Sequence, residues 1–157
     1  VTRFGYGYVQ GADEAAKELD IVDDVAVEYV CGGQFYGDAD ITAYMDTWYG
    51  SKGVEVVFAC GGGIYTSAAE AAAKVDGKVI GVDSDQYAAN SGKPELAAHI
   101  LTSSLKRCDS GVLWGVSQVI EGTAEFGTQR TLGYKDDAVG LVINDNYKNN
   151  MTEDEQD

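Results

Sequence analysis

The stretch from Val54 to Asp85, VEVVFACGGGIYTSAAEAAAKVDGKVIGVDSD, constrains the fold more than any other part of the chain. Val54 to Ala59 is a β-branched, apolar run without alternation, the pattern of a strand covered on both faces, and Lys78 to Val82 repeats it. Between them, Ile64 to Val75 is alanine-rich and predicts a helix with Ala68, Ala71, Ala72 and Val75 on one small-residue face, suited to lying close on a sheet. Two such strands joined by a helix make a parallel βαβ unit. The expected fold class is therefore α/β, a Rossmann-like lobe with a mostly parallel sheet flanked by helices. Ligands of open parallel sheets sit beyond the carboxyl ends of the strands, which directs attention to Gly61 to Tyr65 and to Asp83 to Gln86.

The flanking segments extend the same rhythm. Phe4, Tyr8, Ala12, Ala15 and Leu19 fall near helical spacing over Thr2 to Leu19, although Gly5, Gly7 and Gly11 weaken that helix unless they face a sheet at close range. A helical start with no strand feeding it predicts that the chain begins inside a larger fold. Val25 to Val30 reads as the first strand. Asp38 is placed to cap a helix carrying Ile41, Tyr44, Met45 and Trp48, with Gly50 as its stop. Ala97 to Ser103 reads as a fourth strand, so strand ends recur near Val30, Ala59, Val82 and Thr102. Val112, Val116, Val119 and Ile120 then predict a helix ending at Gly122, and Thr128 to Tyr134 and Ala138 to Ile143 look like edge strands or a hairpin. The character of the chain changes after the fourth strand, which separates residues 1–103 from 104–150 and from an acidic, disordered tail over 151–157.

Charge and composition exclude several classes. A formal charge of −15 over 157 residues argues against a nucleic-acid partner, which would require clustered Lys and Arg. Three widely spaced cysteines, Cys31, Cys60 and Cys108, fit neither a disulfide framework nor a CxxC metal site. The single histidine, His99, lies between Ala98 and Ile100 and reads as structural. No segment approaches the length of an apolar membrane span, and the start lacks a signal-peptide pattern, so the expectation is a soluble mature chain. Ser67, Ser84 and Ser103 lack a nucleophile elbow, and CGGGIYTS does not complete GxGxxG. Neither a catalytic residue, a cofactor nor a metal is expected.

Each strand end carries something a small polar ligand can use. Phe35 follows a diglycine and is either a stacking surface for an aromatic base or a loop aromatic tucked into the core. Gly61, Gly62 and Gly63 allow close backbone approach and offer N–H donors before a helix. Asp83 leaves an apolar strand, where a carboxylate can accept from vicinal hydroxyls; helix capping is its other reading, and Asp85 competes for the same role. Lys106 follows the fourth strand, where it can donate to ligand, hold Asp83, or simply be solvated.

The succession GGQFYGD, GVEVVFACGGGIYTSAAEAA, KVIGVDSDQ, HILTSSLKR and AVGLVIN resembles the basic membrane protein family of substrate-binding lipoproteins, the purine-nucleoside receptors of ABC importers. The similarity runs from about Phe4 to Asn144, and IGVDSDQ followed by LTSSLK is its most specific part. The resemblance implies a periplasmic-binding-protein type I fold of two lobes, of which this chain holds the second, ligand-binding lobe over residues 1–103 and the return segment over 104–150. It implies a purine nucleoside as ligand, with Phe35 stacking on the base, the Gly61 to Gly63 loop contacting ligand through backbone, and Asp83 and Lys106 holding ribose hydroxyls. It further implies partnership with a missing N-terminal lobe and an ABC permease, an extracytoplasmic location, and membrane attachment only through a lipid anchor outside this chain. Tyr65, after the glycines, is longer than the residue usual in the family. The competing readings are a small-molecule sensor of the same fold that regulates a signalling partner, and a Rossmann-like nucleotide-dependent enzyme.

Overall fold

The structure, a computed structural model, describes residues 2–152, which fall into two compact units, Val1–Val79 and Ile80–Asp157. One sheet of four strands runs in the order β1-β2-β3-β4 and is mostly parallel. Its strands are β1 (Val56–Phe58), β2 (Lys78–Asp83), β3 (Ile100–Lys106) and β4 (Val139–Leu141). The predicted α/β class is the observed one. The acidic end from Glu153 lies outside the described residues.

The first unit holds α1 (Thr2–Glu18), α2 (Ala39–Ser51), β1, α3 (Tyr65–Ala72) and the start of β2. Its core is the alanine face: Ala68, Ala69, Ala71 and Ala72 are all buried, together with Met45, Trp48 and Tyr49 from α2. Small side chains let α3 come close to α2. The Ser67 hydroxyl reaches the Asp38 carbonyl at 3.0 Å, and a Cβ on Gly37 would collide with the Thr66 and Ser67 hydroxyls. Tyr49 closes the bottom of the core by donating to the Lys78 carbonyl at 2.7 Å, and burial pushes its phenol pKa up.

Several expectations are corrected here. Val25 to Val30 is extended chain without strand pairing, and Val25, Val27 and Tyr29 are exposed. Its β-branched pattern encodes an extended backbone, yet a strand exists only where a neighbour supplies a ladder, and β1 is just three residues long. Gly5, Gly7 and Gly11 have open space where a Cβ would stand, so no close helix approach requires them. Val75 is exposed, because α3 ends at Ala72 before the small-residue face reaches it. Helix α2 passes through Gly50 and stops at Lys52, with Gly53 taking the left-handed conformation at φ 71°.

The second unit holds the end of β2, two one-turn helices α4 (Gln86–Ala89) and α5 (Pro94–Ala97), β3, α6 (Cys108–Glu121), β4 and α7 (Asp145–Asn150). Pro94 opens α5, so the fourth strand begins at Ile100, later than its apolar run suggested. Ile100 is fully buried. Antiparallel pairing of Ser104 with Leu141 and Lys106 with Val139 adds β4 to β3. Thr128 to Tyr134 forms no strand; its backbone leads into a tight turn in which the Gly133 N–H donates to the Asp136 carboxylate at 2.9 Å, and the Arg130 guanidinium stacks on Trp114 at 4.8 Å. Helix α6 ends at Gly122 in the left-handed conformation, as its position predicts, but none of its residues is buried.

Candidate functional site

In the first unit, the loop before α2 is seated on the glycine run. Tyr36 forms a parallel bridge with Gly63, whose N–H donates to the Phe35 carbonyl at 2.8 Å. Gly62 is left-handed at φ 55°, and a Cβ there would stand 3.1 Å from the same carbonyl. The run is therefore glycine because the Phe35 backbone occupies the space a side chain would fill. The ring of Phe35 is left 66% exposed, so it is not tucked into the core. The Gly61 N–H is spent on the Ala59 carbonyl at 3.0 Å, and that of Gly63 on Phe35, so these two donors serve the loop itself.

Asp38 fixes this loop to α2. Its carboxylate accepts from the Ile41 N–H at 2.9 Å and from the Gln34 amide at 2.8 Å, while the same amide donates to the Tyr36 carbonyl at 2.9 Å. The Ile41 N–H, then the Gln34 amide, hold the Asp38 carboxyl below the usual carboxylate range. A folded-state pKa lowered in this way contributes stability that is present above the unfolded value near 4 and is lost as pH falls through the folded value. Acid titration should accordingly loosen α2 and the Phe35 loop together, and Asp38→Asn should flatten that pH dependence. Helical circular dichroism that falls identically in both proteins between about pH 5 and 2 would refute this role for Asp38.

In the second unit, β2 and β3 end on a charge pair. Lys106 Nζ lies 2.6 Å from Asp83 Oδ1, with the two side chains 51% and 38% exposed. Asp83 is left-handed at φ 73°, and the Ser84 N–H donates across it to the Val82 carbonyl at 2.9 Å. This is a γ-turn of the strained hand. Asp85 takes the other reading left open for this pair: its carboxylate accepts from the Ala88 N–H at 3.0 Å, capping α4, and from the Asn144 amide at 3.4 Å. Capping thus occupies Asp85 and leaves Asp83 facing an ammonium. Among the described residues no group of three or more His, Cys, Asp or Glu could hold a metal ion.

The structure therefore brings Phe35 to Gly62 and Gly63 in one unit, and Asp83 to Lys106 in the other. The first is an exposed ring, the second a part-exposed carboxylate–ammonium pair. They offer a stacking face and charge-assisted acceptors and donors. Sequence reasoning included Gln86 at the end of the Asp83 to Gln86 segment but gave it no role; it is buried and donates from Nε2 to the Val82 carbonyl at 2.9 Å. The signal available was Gly81, five residues earlier, whose missing side chain leaves room for the Gln86 amide.

The family model for PnrA-like ABC transporter substrate-binding proteins matches residues 1–157. Basic membrane protein D of Borreliella burgdorferi (strain JD1) is 32% identical over 154 residues, which is 96% of this chain and 41% of that protein. Among solved structures, a solute-binding protein of an ABC transporter system from Aeropyrum pernix K1 superposes with a TM-score of 0.63 at 27% identity, covering 90% of this chain and 37% of the other. A transcriptional activator of the comK gene from Bacillus halodurans superposes at 0.57 with 24% identity over 78% of this chain and 42% of its own, a likeness of fold alone. The chain spans about two fifths of the length of these relatives. Among the described residues, no helix is long and apolar enough to cross a membrane.

Proposed function

Because this chain belongs to the family of PnrA-like ABC transporter substrate-binding proteins, we propose that it is the second lobe and return segment, residues 1–103 and 104–150, of an extracytoplasmic receptor that delivers a purine nucleoside to an ABC importer. Binding is capture without catalysis. Phe35 stacks on the base, the Gly61 to Gly63 backbone lies along the ligand, and Asp83 and Lys106 take the ribose hydroxyls as acceptor and donor. The observation that carries this reading is the Asp83–Lys106 pair at adjacent strand ends, with the carboxylate held out of helix capping by Asp85. Vicinal hydroxyls fit a carboxylate because it offers acceptors only, and they fit an ammonium because it offers donors only.

The partners in this proposal are a first lobe, a permease and a lipid anchor, all outside these residues. The apolar face of α6, with Val112, Val116, Val119 and Ile120 all exposed, is the surface that the first lobe covers. Closure of two lobes excludes water from the ligand and signals loading to the permease.

Calorimetric titration of the full-length protein with inosine, guanosine and adenosine tests the reading. Saturable heat with at least one nucleoside is expected, and no heat and no thermal shift with any of them would end the nucleoside assignment. Phe35→Leu keeps an apolar side chain but loses the ring face. Stacking is worth about 1 kcal/mol beyond area burial, so this variant should bind roughly fivefold more weakly. Unchanged affinity would mean the base does not lie on Phe35.

A further inference from the structure

The Asp83 turn is more strained than a sheet end requires. A left-handed backbone is disfavoured for a residue with a Cβ, and γ-turns of this hand are rare, so the surroundings must over-determine it. Lys106 is one restraint, but the pair is part-exposed and screened by solvent. The buried restraint comes from behind. Gln86, 5% exposed, donates from Nε2 to the Val82 carbonyl at 2.9 Å, the same carbonyl that the Ser84 N–H reaches across the turn.

Gln86 is itself fixed at its backbone. Its N–H donates to the Ser103 hydroxyl at 3.2 Å, its carbonyl accepts from the Asn90 amide at 2.7 Å, and Ser103 is 1% exposed on β3. Gly81 completes the fit, since any side chain there would collide with the Gln86 amide and the Ser103 hydroxyl. Two donors on one buried carbonyl clamp the residue between them.

We infer that Gln86 is a positioning residue for ligand binding: its side-chain amide, carried on a backbone whose N–H is held by Ser103 and admitted by Gly81, locks Val82 and keeps Asp83 in the left-handed turn that presents its carboxylate. This rests on the proposed role of Asp83, and it sets affinity through preorganisation without any contact to ligand. A flexible Asp83 would have to be ordered at the moment of binding.

The test uses nuclear magnetic resonance on the protein, with inosine titration alongside. In the unsubstituted protein, a through-hydrogen-bond coupling from Gln86 Nε2 to the Val82 carbonyl carbon is expected, as is the strong intraresidue HN–Hα Overhauser effect of a positive φ at Asp83. Gln86→Met, close in shape but without a donor, should weaken that Overhauser effect and lower inosine affinity about tenfold. Lys106→Met should leave the Overhauser effect in place. Should Gln86→Met not fold, Gln86→Asn, which draws the amide back by one methylene, gives the same readout. Absence of the coupling in the unsubstituted protein, or an intact left-handed Asp83 in either folded Gln86 variant, overturns the inference. An unsubstituted protein that shows the coupling and turn yet binds no inosine overturns the nucleoside reading and leaves Gln86 as the lock of the turn.

Discussion

Asp83→Ala is expected to weaken inosine binding by about 10- to 150-fold, because a hydrogen bond to a charged group is worth about 1.5–3 kcal/mol. The loss arises from one carboxylate. In the structure Asp83 caps no helix and pairs with Lys106 at 2.6 Å, so truncation removes the ligand's acceptor together with this carboxylate partner of the ammonium. Asp85→Ala is the informative contrast, since Asp85 accepts from the Ala88 N–H and the Asn144 amide. Its removal should lower stability through the lost cap while leaving affinity within a few-fold. Asp145→Ala, at the first residue of α7, should leave affinity unchanged. Isothermal titration of the three variants decides the matter: equal losses across them would mean that general acidity, and not the Asp83 geometry, governs binding.

Ile100→Ala is expected to be the most damaging single truncation for stability, costing about 2–5 kcal/mol. Ile100 is fully buried at the first position of β3, and its carbonyl accepts from the Asn146 side chain at 2.7 Å, so one residue ties β3 to both the core and α7. Removing its side chain opens a cavity in the buried interior that the surrounding structure fills only in part. Ile120→Ala provides the opposite case. That side chain is 80% exposed on α6, and in this chain its truncation should change stability by less than about 0.5 kcal/mol. Urea unfolding of the 157-residue chain measures both; an Ile100→Ala cost below about 1 kcal/mol would contradict the burial on which the second unit depends.

The central βαβ unit was legible because its signals are local. Continuous apolar runs at Val54 to Ala59 and Lys78 to Val82, and alanines at helical spacing between them, specify two strands and a helix thin enough to lie against α2, although the first strand spans only Val56–Phe58 and leaves Val56 exposed rather than covered on both faces. The caps were equally local: Asp38 lies three residues before the N–H it accepts from, and Gly122 supplies the left-handed stop of α6. The motif order IGVDSDQ and LTSSLK carried family membership for the same reason, as short strings at fixed spacing.

What failed to be legible depends on partners distant in sequence. Val25 to Val30 has the composition of a strand, and Thr128 to Tyr134 that of an edge, but neither is paired, since a ladder is a property of two segments. The chain alone therefore determined the α/β class, the parallel centre, the family and a short set of candidate residues. Tertiary structure alone decided that Asp85 caps while Asp83 meets Lys106, that Gly62 and Gly63 make room for the Phe35 backbone, and that Gln86 sits behind the Asp83 turn. The physical reason is that a carboxylate or amide has no intrinsic role: whichever donor folding brings within about 3 Å assigns it one.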